Sequence, residues 1–304
     1  MKVFYSDQFP FPLPHGHMFP LRKFRLLREA VQRSGAIPPE DLRVPPAATD
    51  AQILRAHTAD YLERLKTGQL TPKEVRRIGL PWSAELVERV RYSTGGTIAA
   101  CRAALSDGIA ANLSGGTHHG FADHGQGYCL FNDIVIAARA MQDEGRARRV
   151  VVIDCDAHQG NGTAALAAGD PTLFTFSIHN RQNFPLRKVP SDLDVGLDDG
   201  TGDAAYLSAL EDGLRRALER AQADLAIYLA GADPYERDLL GRLALTQAGL
   251  AARDRLVFSH CRQASLPVAV TIAGGYGQRL QETVEIHLQT ICIAGEYAAL
   301  WQAS

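Results

Sequence analysis

The stretch VVVIDCDAHQGNG at positions 150–162 decides the fold, because an apolar run passes there directly into a string of acidic, histidine and glycine residues. A short run that is apolar throughout is typical of a parallel strand covered on both faces. Similar runs recur along the chain. They predict strands at Lys2–Tyr5, Ile109–Leu113, Val150–Asp154, Leu173–Ile178, Leu225–Ala230 and Val268–Ala273.

Longer amphipathic segments lie between these strands, with apolar residues at three- and four-residue spacing. They predict helices at Phe19–Ser34, Asp50–Lys66, Ser83–Leu105, Phe131–Glu144, Asp203–Ala223 and Thr246–Ala264. Strands that alternate with helices favour a doubly wound sheet. We therefore predict an α/β fold, with a single domain over residues 1–304 and helices on both faces of a mainly parallel sheet.

Composition excludes several classes of protein. The chain has 304 residues, 46% of them hydrophobic, and a net charge of −2, so we expect a globular protein without direct nucleic-acid binding. No apolar run reaches the roughly 18 residues of a membrane span. Five cysteines without a CxxC pair and no visible signal peptide favour the cytoplasm. The sequence gives no indication of the oligomeric state.

Unusual polar residues follow five of the predicted strands. They are SGGTHHG at 114–120, DCDAHQGNG at 154–162, His179, GAD at 231–233 and GGYG at 274–277. Ligands bind outside the carboxyl ends of the strands in open parallel sheets. We therefore expect these residues to form one site.

Asp154, Asp156 and His158 alternate along the chain, so in an extended segment their side chains share one face. Such a set suits a divalent metal, although a helix N-cap with a polar turn fits the isolated motif equally well. Asp233 offers a third ligand from another strand end. Three protein ligands with a position left for water are the layout of a catalytic zinc site.

His118 and His119 follow a glycine-rich turn, where they could transfer protons, bind metal or simply brace the loop. Tyr276 follows two glycines and could donate a hydrogen bond to a developing oxyanion, or merely form a turn. Together with a metal, these groups are the parts needed for hydrolysis of a carbonyl compound.

Six motifs follow one another along the chain: GTHH at 116–119, GYCLFND at 127–133, DCDAHQGNG at 154–162, SIH at 177–179, AGADP at 230–234 and GGY at 274–276. In this order they resemble the histone deacetylase family of zinc-dependent amidohydrolases, which has the arginase/deacetylase fold. MFPLRK at 18–23 and DAHQGNG at 156–162 are most similar to bacterial members of class IV.

The resemblance implies a role for each matched residue. It implies Asp156, His158 and Asp233 as ligands of zinc, a set that would also accept Fe²⁺. It implies His118 and His119 as the acid/base pair, oriented by Asp154 and Asn161 respectively, and Tyr276 as the oxyanion donor. It also implies a tube for the acyl-lysine stem lined by Gly127, Tyr128 and Phe184. A structural potassium ion would use Asp154, Asp156, His158, Ser177 and Ile178.

Two features depart from the family pattern. Tyr128 stands where the family usually has phenylalanine, so the tube would be narrower or more polar. The segment from Arg181 to Gly202 carries four carboxylates, which we expect to lie in a solvated surface loop, although they could attract a basic substrate. These are Asp192, Asp194, Asp198 and Asp199.

The leading functional hypothesis is removal of acetyl or longer acyl groups from lysine side chains of a protein or peptide. A small acylated amine such as an acetylpolyamine is an alternative substrate and would need an acidic channel mouth. A two-manganese ureohydrolase shares the fold, but Gly160 replaces a second-metal ligand. A catalytically silent acyl-lysine binder is disfavoured because the expected ligands, both histidines and the tyrosine are present.

Overall fold

The computed structural model describes residues 1–302, in which eight strands form one sheet and every neighbouring pair is parallel. The strands are β1 (Val3–Phe4), β2 (Leu42–Arg43), β3 (Ile109–Asn112), β4 (Val150–Asp154), β5 (Leu173–Asn180), β6 (Leu193–Leu197), β7 (Leu225–Ala230) and β8 (Val268–Ile272). Their order is β2-β1-β3-β8-β7-β4-β5-β6. The predicted α/β class is confirmed.

Helices cover both faces of this sheet. They are α1 (Arg22–Ser34), α2 (Asp50–Ile53), α3 (Ala59–Thr67), α4 (Pro72–Ile78), α5 (Ala84–Asp107), α6 (Asp133–Asp143), α7 (Asn161–Ala167), α8 (Asp203–Ala221), α9 (Gln247–Gln263) and α10 (Leu280–Gln302). One buried apolar cluster involves α1, α8, α9 and α10, and the other involves α5 and α6. The sheet therefore has a hydrophobic core on each side.

Strand β4 shows why the central strands are apolar throughout. Val151 and Ile153 belong to one core, whereas Val150 and Val152 belong to the other. Successive side chains of a strand point to opposite faces, so both faces must be apolar when both are covered by helices.

Several predicted boundaries were wrong. The helix predicted over Asp50–Lys66 is two helices, because Thr58 caps a new helix, α3, after the chain leaves α2. Strand β5 runs beyond Ile178 to Asn180, and β6 forms within the segment expected to be a loop. Helix α10 was not predicted, since the polar residues Thr283, His287 and Thr290 interrupt the apolar pattern of its buried face.

Among residues 1–302, no helix has both the length and the apolarity required to cross a lipid bilayer.

Arg253 of α9 ties together the carboxyl ends of β4 and β7. Its side chain is fully buried, and its Nε donates to Asp254 Oδ1 over 2.9 Å. The same guanidinium donates to the carbonyl oxygens of Cys155 and Gly231, which directly follow the two strands. Asp254 also accepts hydrogen bonds from the hydroxyls of Tyr228 and Thr290. This network fixes the backbone from which the metal-ligand candidates extend.

Arg253→Met should lower the free energy of unfolding by about 3–5 kcal/mol, because Asp254 would remain as an unpaired buried charge. Chemical denaturation measures the change. Arg255→Met is a matched control, since Arg255 pairs with Glu296 while both side chains are half exposed. That exposed pair should contribute less than about 1 kcal/mol. Equal destabilisation by the two substitutions would contradict the role given to the buried network.

Candidate metal and catalytic site

Asp156, His158 and Asp233 form one buried group at the carboxyl ends of two adjacent strands. The first two follow β4, and Asp233 follows β7, which pairs with β4 in parallel register. The candidate ligand atoms all lie within 4.8 Å of one another. His158 Nδ1 lies 3.1 Å from Asp156 Oδ1 and 3.0 Å from Asp233 Oδ2.

Backbone amides orient both carboxylates. Asp156 accepts from the amides of His158 and Gly274, and Asp233 accepts from the amide of Ala157 over 2.9 Å. Gly274 follows β8 and lies so close to the group that a Cβ atom there would be 1.9 Å from Asp233 Oδ2. A third strand end thus contributes backbone to the site, and this close approach requires glycine.

The chemistry of this group fits a divalent cation. Burial and the neighbouring Asp156 carboxylate raise the pKa of Asp233 to about 7. Two buried carboxylates repel each other, so keeping both ionised at neutral pH requires a positive charge between them. Oxygen and imidazole ligands of this kind bind zinc and other divalent transition metals.

His118 and His119 lie side by side above this group, with ring centroids 4.1 Å apart. His118 Nδ1 is 2.7 Å from Asp154 Oδ2, and His119 Nδ1 is 2.7 Å from Asn161 Oδ1. Both predicted pairings are therefore present. Asn161 Nδ2 donates to Gln126 Oε1, and in this orientation the Asn161 oxygen lies toward His119. With its proton on Nδ1, His119 donates to that oxygen and leaves Nε2 as an acceptor.

The two histidines differ in charge because their partners differ. Burial opposes the charged form of His118, but the Asp154 and Asp156 carboxylates outweigh it and raise the pKa of His118 to about 9. Burial and the neighbouring charged imidazoles lower the pKa of His119 well below its usual value. At neutral pH His118 is protonated and His119 is neutral.

Asp133 holds the loop that carries the histidines. This buried carboxylate, at the start of α6, accepts hydrogen bonds from the amides of Gly116 and Thr117 and from the Thr117 hydroxyl. Asp133 is the last residue of the motif GYCLFND at 127–133, for which the sequence indicated no role at this position.

Tyr276 is placed by a residue that the sequence did not single out. The Tyr276 amide donates to Asp238 Oδ2 over 2.6 Å, and Asp238 also accepts from the amides of Leu240 and Gly241. Burial raises the pKa of Tyr276 well above its usual value, so its hydroxyl stays protonated and able to donate. Asp238 lies in an irregular segment after β7, where no pattern in the sequence indicates its contact with Tyr276.

The metal-ligand candidates, the two histidines and Tyr276 line one cavity of about 580 Å³. Gly127, Tyr128 and Phe184, the residues predicted to form the tube, lie on its wall. The Phe184 ring stands edge-on to His119, with centroids 4.9 Å apart. Gly127 has φ +54°, and a Cβ there would lie 2.7 Å from His119, so this part of the wall requires glycine. The Tyr128 ring packs 5.8 Å from the ring of Tyr276.

His179 does not join the site, contrary to the sequence prediction. It lies inside β5 rather than after it, and its Nδ1 is 2.9 Å from Ser177 Oγ. The cavity wall does not include His179. The apolar run ended at residue 178, but pairing with β6 extends β5 past that point.

The four carboxylates of segment 181–202 are exposed, as expected, but the segment includes strand β6 and is not a loop throughout. Asp192 accepts from the amide and hydroxyl of Thr175, and Asp194 accepts from the Gln159 side chain. Asp199 accepts from the Asn180 amide group, while Asp198 lies 3.3 Å from Arg181 Nε. None of the four lines the cavity.

Comparison with known proteins points to one family. A family model described as the histone deacetylase domain matches residues 17–291. An uncharacterized protein of Picosynechococcus sp. is 45% identical over 285 residues, covering 94% of this chain and 95% of the relative. A histone deacetylase-like amidohydrolase of Pseudomonas aeruginosa is 32% identical, covering 88% and 74% respectively. The solved structure of a histone deacetylase homologue from Aquifex aeolicus shares the fold, with a TM-score of 0.85, 22% identity, and coverage of 97% and 84%.

Asp233→Ala should weaken metal binding by roughly tenfold or more, because three protein ligands leave no substitute for a missing one. Metal content per chain, measured after loading and desalting, tests this. Asp198→Ala is the control, since the Asp198 side chain is 68% exposed and should not affect metal content. Stoichiometric metal in Asp233→Ala would show that the ion binds elsewhere.

Proposed function

Because the chain belongs to the histone deacetylase family, whose members are hydrolases acting on amides, we propose that it removes acyl groups from lysine side chains of proteins or peptides. One observation carries the proposal. The buried group Asp156, His158 and Asp233 lies with Tyr276 and two histidines, one bonded to a carboxylate and the other to an amide, on the wall of one cavity. We propose the cytoplasm as its location.

We propose Zn²⁺ as the resident ion, with Fe²⁺ as an alternative for the same oxygen and nitrogen ligands. An ion held by Asp156, His158 and Asp233 would polarise the amide carbonyl and make water more acidic. A structural potassium ion near Asp154 and Ser177, which pair across β4 and β5, is a further proposal.

His119 is the proposed general base. Its Nε2 is free and its imidazole neutral, so it can accept a proton from the attacking water and return it to the departing lysine amine. His118, held protonated by Asp154, would stabilise the negative charge that develops nearby. The two roles follow from the difference between a carboxylate partner and an amide partner.

Tyr276 is the proposed donor to the carbonyl oxygen as it becomes an oxyanion. Gly127, Tyr128 and Phe184 would enclose the apolar stem of the lysine. The Tyr128 hydroxyl makes this enclosure more polar than a phenylalanine would.

A polyamine substrate is less well supported than an acyl-lysine. A polycation requires carboxylates at the mouth, but the acidic residues on the cavity wall are the metal-ligand candidates Asp156 and Asp233. A silent binding protein is also less well supported, because it would not need a neutral base or a protonated donor.

A substrate panel tests the proposed function. The zinc-loaded enzyme should release the amine from acetyl-, butyryl-, octanoyl- or myristoyl-lysine peptides, and more slowly from acetylated polyamines. Activity on polyamines alone, or on no amide at all, would overturn the proposal.

Tyr276→Phe should reduce kcat by about 10²–10³ with little change in KM, because the lost hydroxyl acts mainly when charge develops on the carbonyl oxygen. Steady-state kinetics on an acetyl-lysine peptide provide the measurement. Tyr297→Phe removes a hydroxyl that bonds the Arg255 carbonyl oxygen at the surface, and it should leave kcat unchanged. Near-normal kcat for Tyr276→Phe would leave Tyr276 with a purely structural role.

Asn161→Asp should move the acidic limb of the kcat–pH profile to higher pH by about one pH unit or more. A carboxylate beside His119 favours the imidazolium and raises the His119 pKa. As the pH falls, the variant therefore loses its neutral base at a higher pH than the wild-type enzyme does. A profile recorded on folded, metal-loaded protein shows the shift. An unmoved acidic limb in an active variant would rule out His119 as the base.

A further inference from the structure

The cavity continues beyond the histidines into a space that the proposed chemistry does not use. This inner chamber lies between α1, α5 and the loop at 114–117, and its wall includes Lys23, Phe24, Arg89, Ser93 and Ser114. Apolar side chains complete the wall, among them Phe11, Leu86 and Val90.

Two cationic side chains are buried in this wall. Lys23 is 3% exposed and Arg89 is 4% exposed. The Lys23 ammonium lies 5.3 Å from the centroid of the Phe24 ring, and the Arg89 guanidinium lies 4.8 Å from the same centroid. The two positive charges therefore flank one aromatic ring.

Neither cation has a carboxylate partner within 4 Å in the part of the chain that the structure describes. Lys23 Nζ donates to the Ala273 carbonyl oxygen over 3.1 Å. Arg89 donates to the Ser6 carbonyl oxygen and, over 3.5 Å, to Ser114 Oγ. Asp7, the acid that acts on Arg89 at longer range, is bound to Arg28 over 2.9 Å.

Buried charges of this kind are costly without an anion. Desolvation disfavours a charged group that has no counter-ion, and neutral carbonyl groups compensate only in part. Burial accordingly lowers the pKa of Lys23 to about 8 and that of Arg89 to about 10. An anionic ligand in the chamber would be stabilised by both cations. Asp233, Asp238 and Asp156 act on Lys23 only at longer range, beyond 4 Å.

We propose that the inner chamber binds a carboxylate at the far end of the acyl group, so that the enzyme prefers dicarboxylic acyl-lysines such as succinyl- and glutaryl-lysine. This inference rests on the proposed lysine deacylase function. The reaction is the same hydrolysis: water adds its oxygen to the carbonyl carbon, the carbon–nitrogen bond breaks, and the amine leaves with a proton. The products are the peptide with an unmodified lysine side chain and the dicarboxylic acid.

The shape of the cavity suits such a group. The Lys23 ammonium is 5.7 Å from the centroid of the Tyr276 ring, so the cationic wall begins a short distance from the donor to the reacting carbonyl. The apolar wall can cover a few methylene groups, and the cations can bind the terminal carboxylate through charge-assisted hydrogen bonds. A plain fatty chain would leave both cations without a carboxylate partner.

Glutaryl- and pentanoyl-lysine peptides of one sequence form the matched test, because their acyl groups have equal carbon number and differ in the terminal carboxylate. The zinc-loaded enzyme should have a kcat/KM about 10- to 100-fold higher for the glutaryl peptide, the range expected for hydrogen bonds to a charged group. Lys23→Met and Arg89→Met should each remove most of this preference while pentanoyl activity persists.

Two further variants serve as controls. Arg22→Gln removes an exposed cation next to Lys23 on α1 and should keep the preference. Arg89→Lys retains the charge and should keep part of the preference. This variant still tests the role of the charge if Arg89→Met misfolds because its contact with Ser6 is lost.

Equal or faster hydrolysis of the pentanoyl peptide by the wild-type enzyme would overturn this inference and leave the deacylase function intact. Inhibition by free pentanoate that disappears in Lys23→Met, without any glutaryl preference, would also overturn it, since the chamber would then bind only the released acid. Failure to hydrolyse any acyl-lysine, acetyl-lysine included, would instead reject the deacylase function and this inference with it.

Discussion

Electrostatic repulsion between the buried carboxylates of Asp156 and Asp233 is the constraint on which the rest of the site depends. The two acids lie with His158 in one buried group, where like charges cannot both persist without a cation. Parallel strands β4 and β7 bring the two acids together, and the amide of Gly274 after β8 adds a hydrogen bond. Arg253 holds the backbone behind them. The parallel sheet, Gly274 and Arg253 together hold the two carboxylates in place.

Neighbouring charges also make the two histidines differ in protonation. His118 and His119 are adjacent in sequence and nearly in contact, but one bonds a carboxylate and the other an amide. A neighbouring carboxylate raises the pKa of an imidazole, whereas burial lowers it. Asp154 and Asp156 thus favour the charged form of His118, whereas burial beside charged imidazoles favours the neutral form of His119.

The sequence predicted the groups that stand on strand ends, because parallel strands present their carboxyl ends at one edge of the sheet. Asp156, His158, Asp233, the two histidines and Tyr276 come together for this reason. Asp238 and Arg89 could not be predicted in the same way. Asp238 reaches the site from an irregular segment and Arg89 from a helix, so only the three-dimensional packing shows their contacts.

The errors have similar physical causes. His179 follows an apolar run as the other site residues do, but pairing of β5 with β6 keeps it within the strand. The acids of segment 181–202 are exposed as expected, but Asp192 and Asp194 also accept hydrogen bonds from Thr175 and Gln159. Polar composition did not indicate that strand β6 forms within this segment.

The central claim is that one buried cation, held by Asp156, His158 and Asp233, makes this chain an amide hydrolase. Titration of the metal-free protein with zinc, with bound metal and acetyl-lysine peptide hydrolysis followed in the same samples, tests it most directly. Activity should be absent without metal, rise in proportion to bound metal and reach its maximum at about one ion per chain. Full activity in protein shown to be free of metal would contradict it.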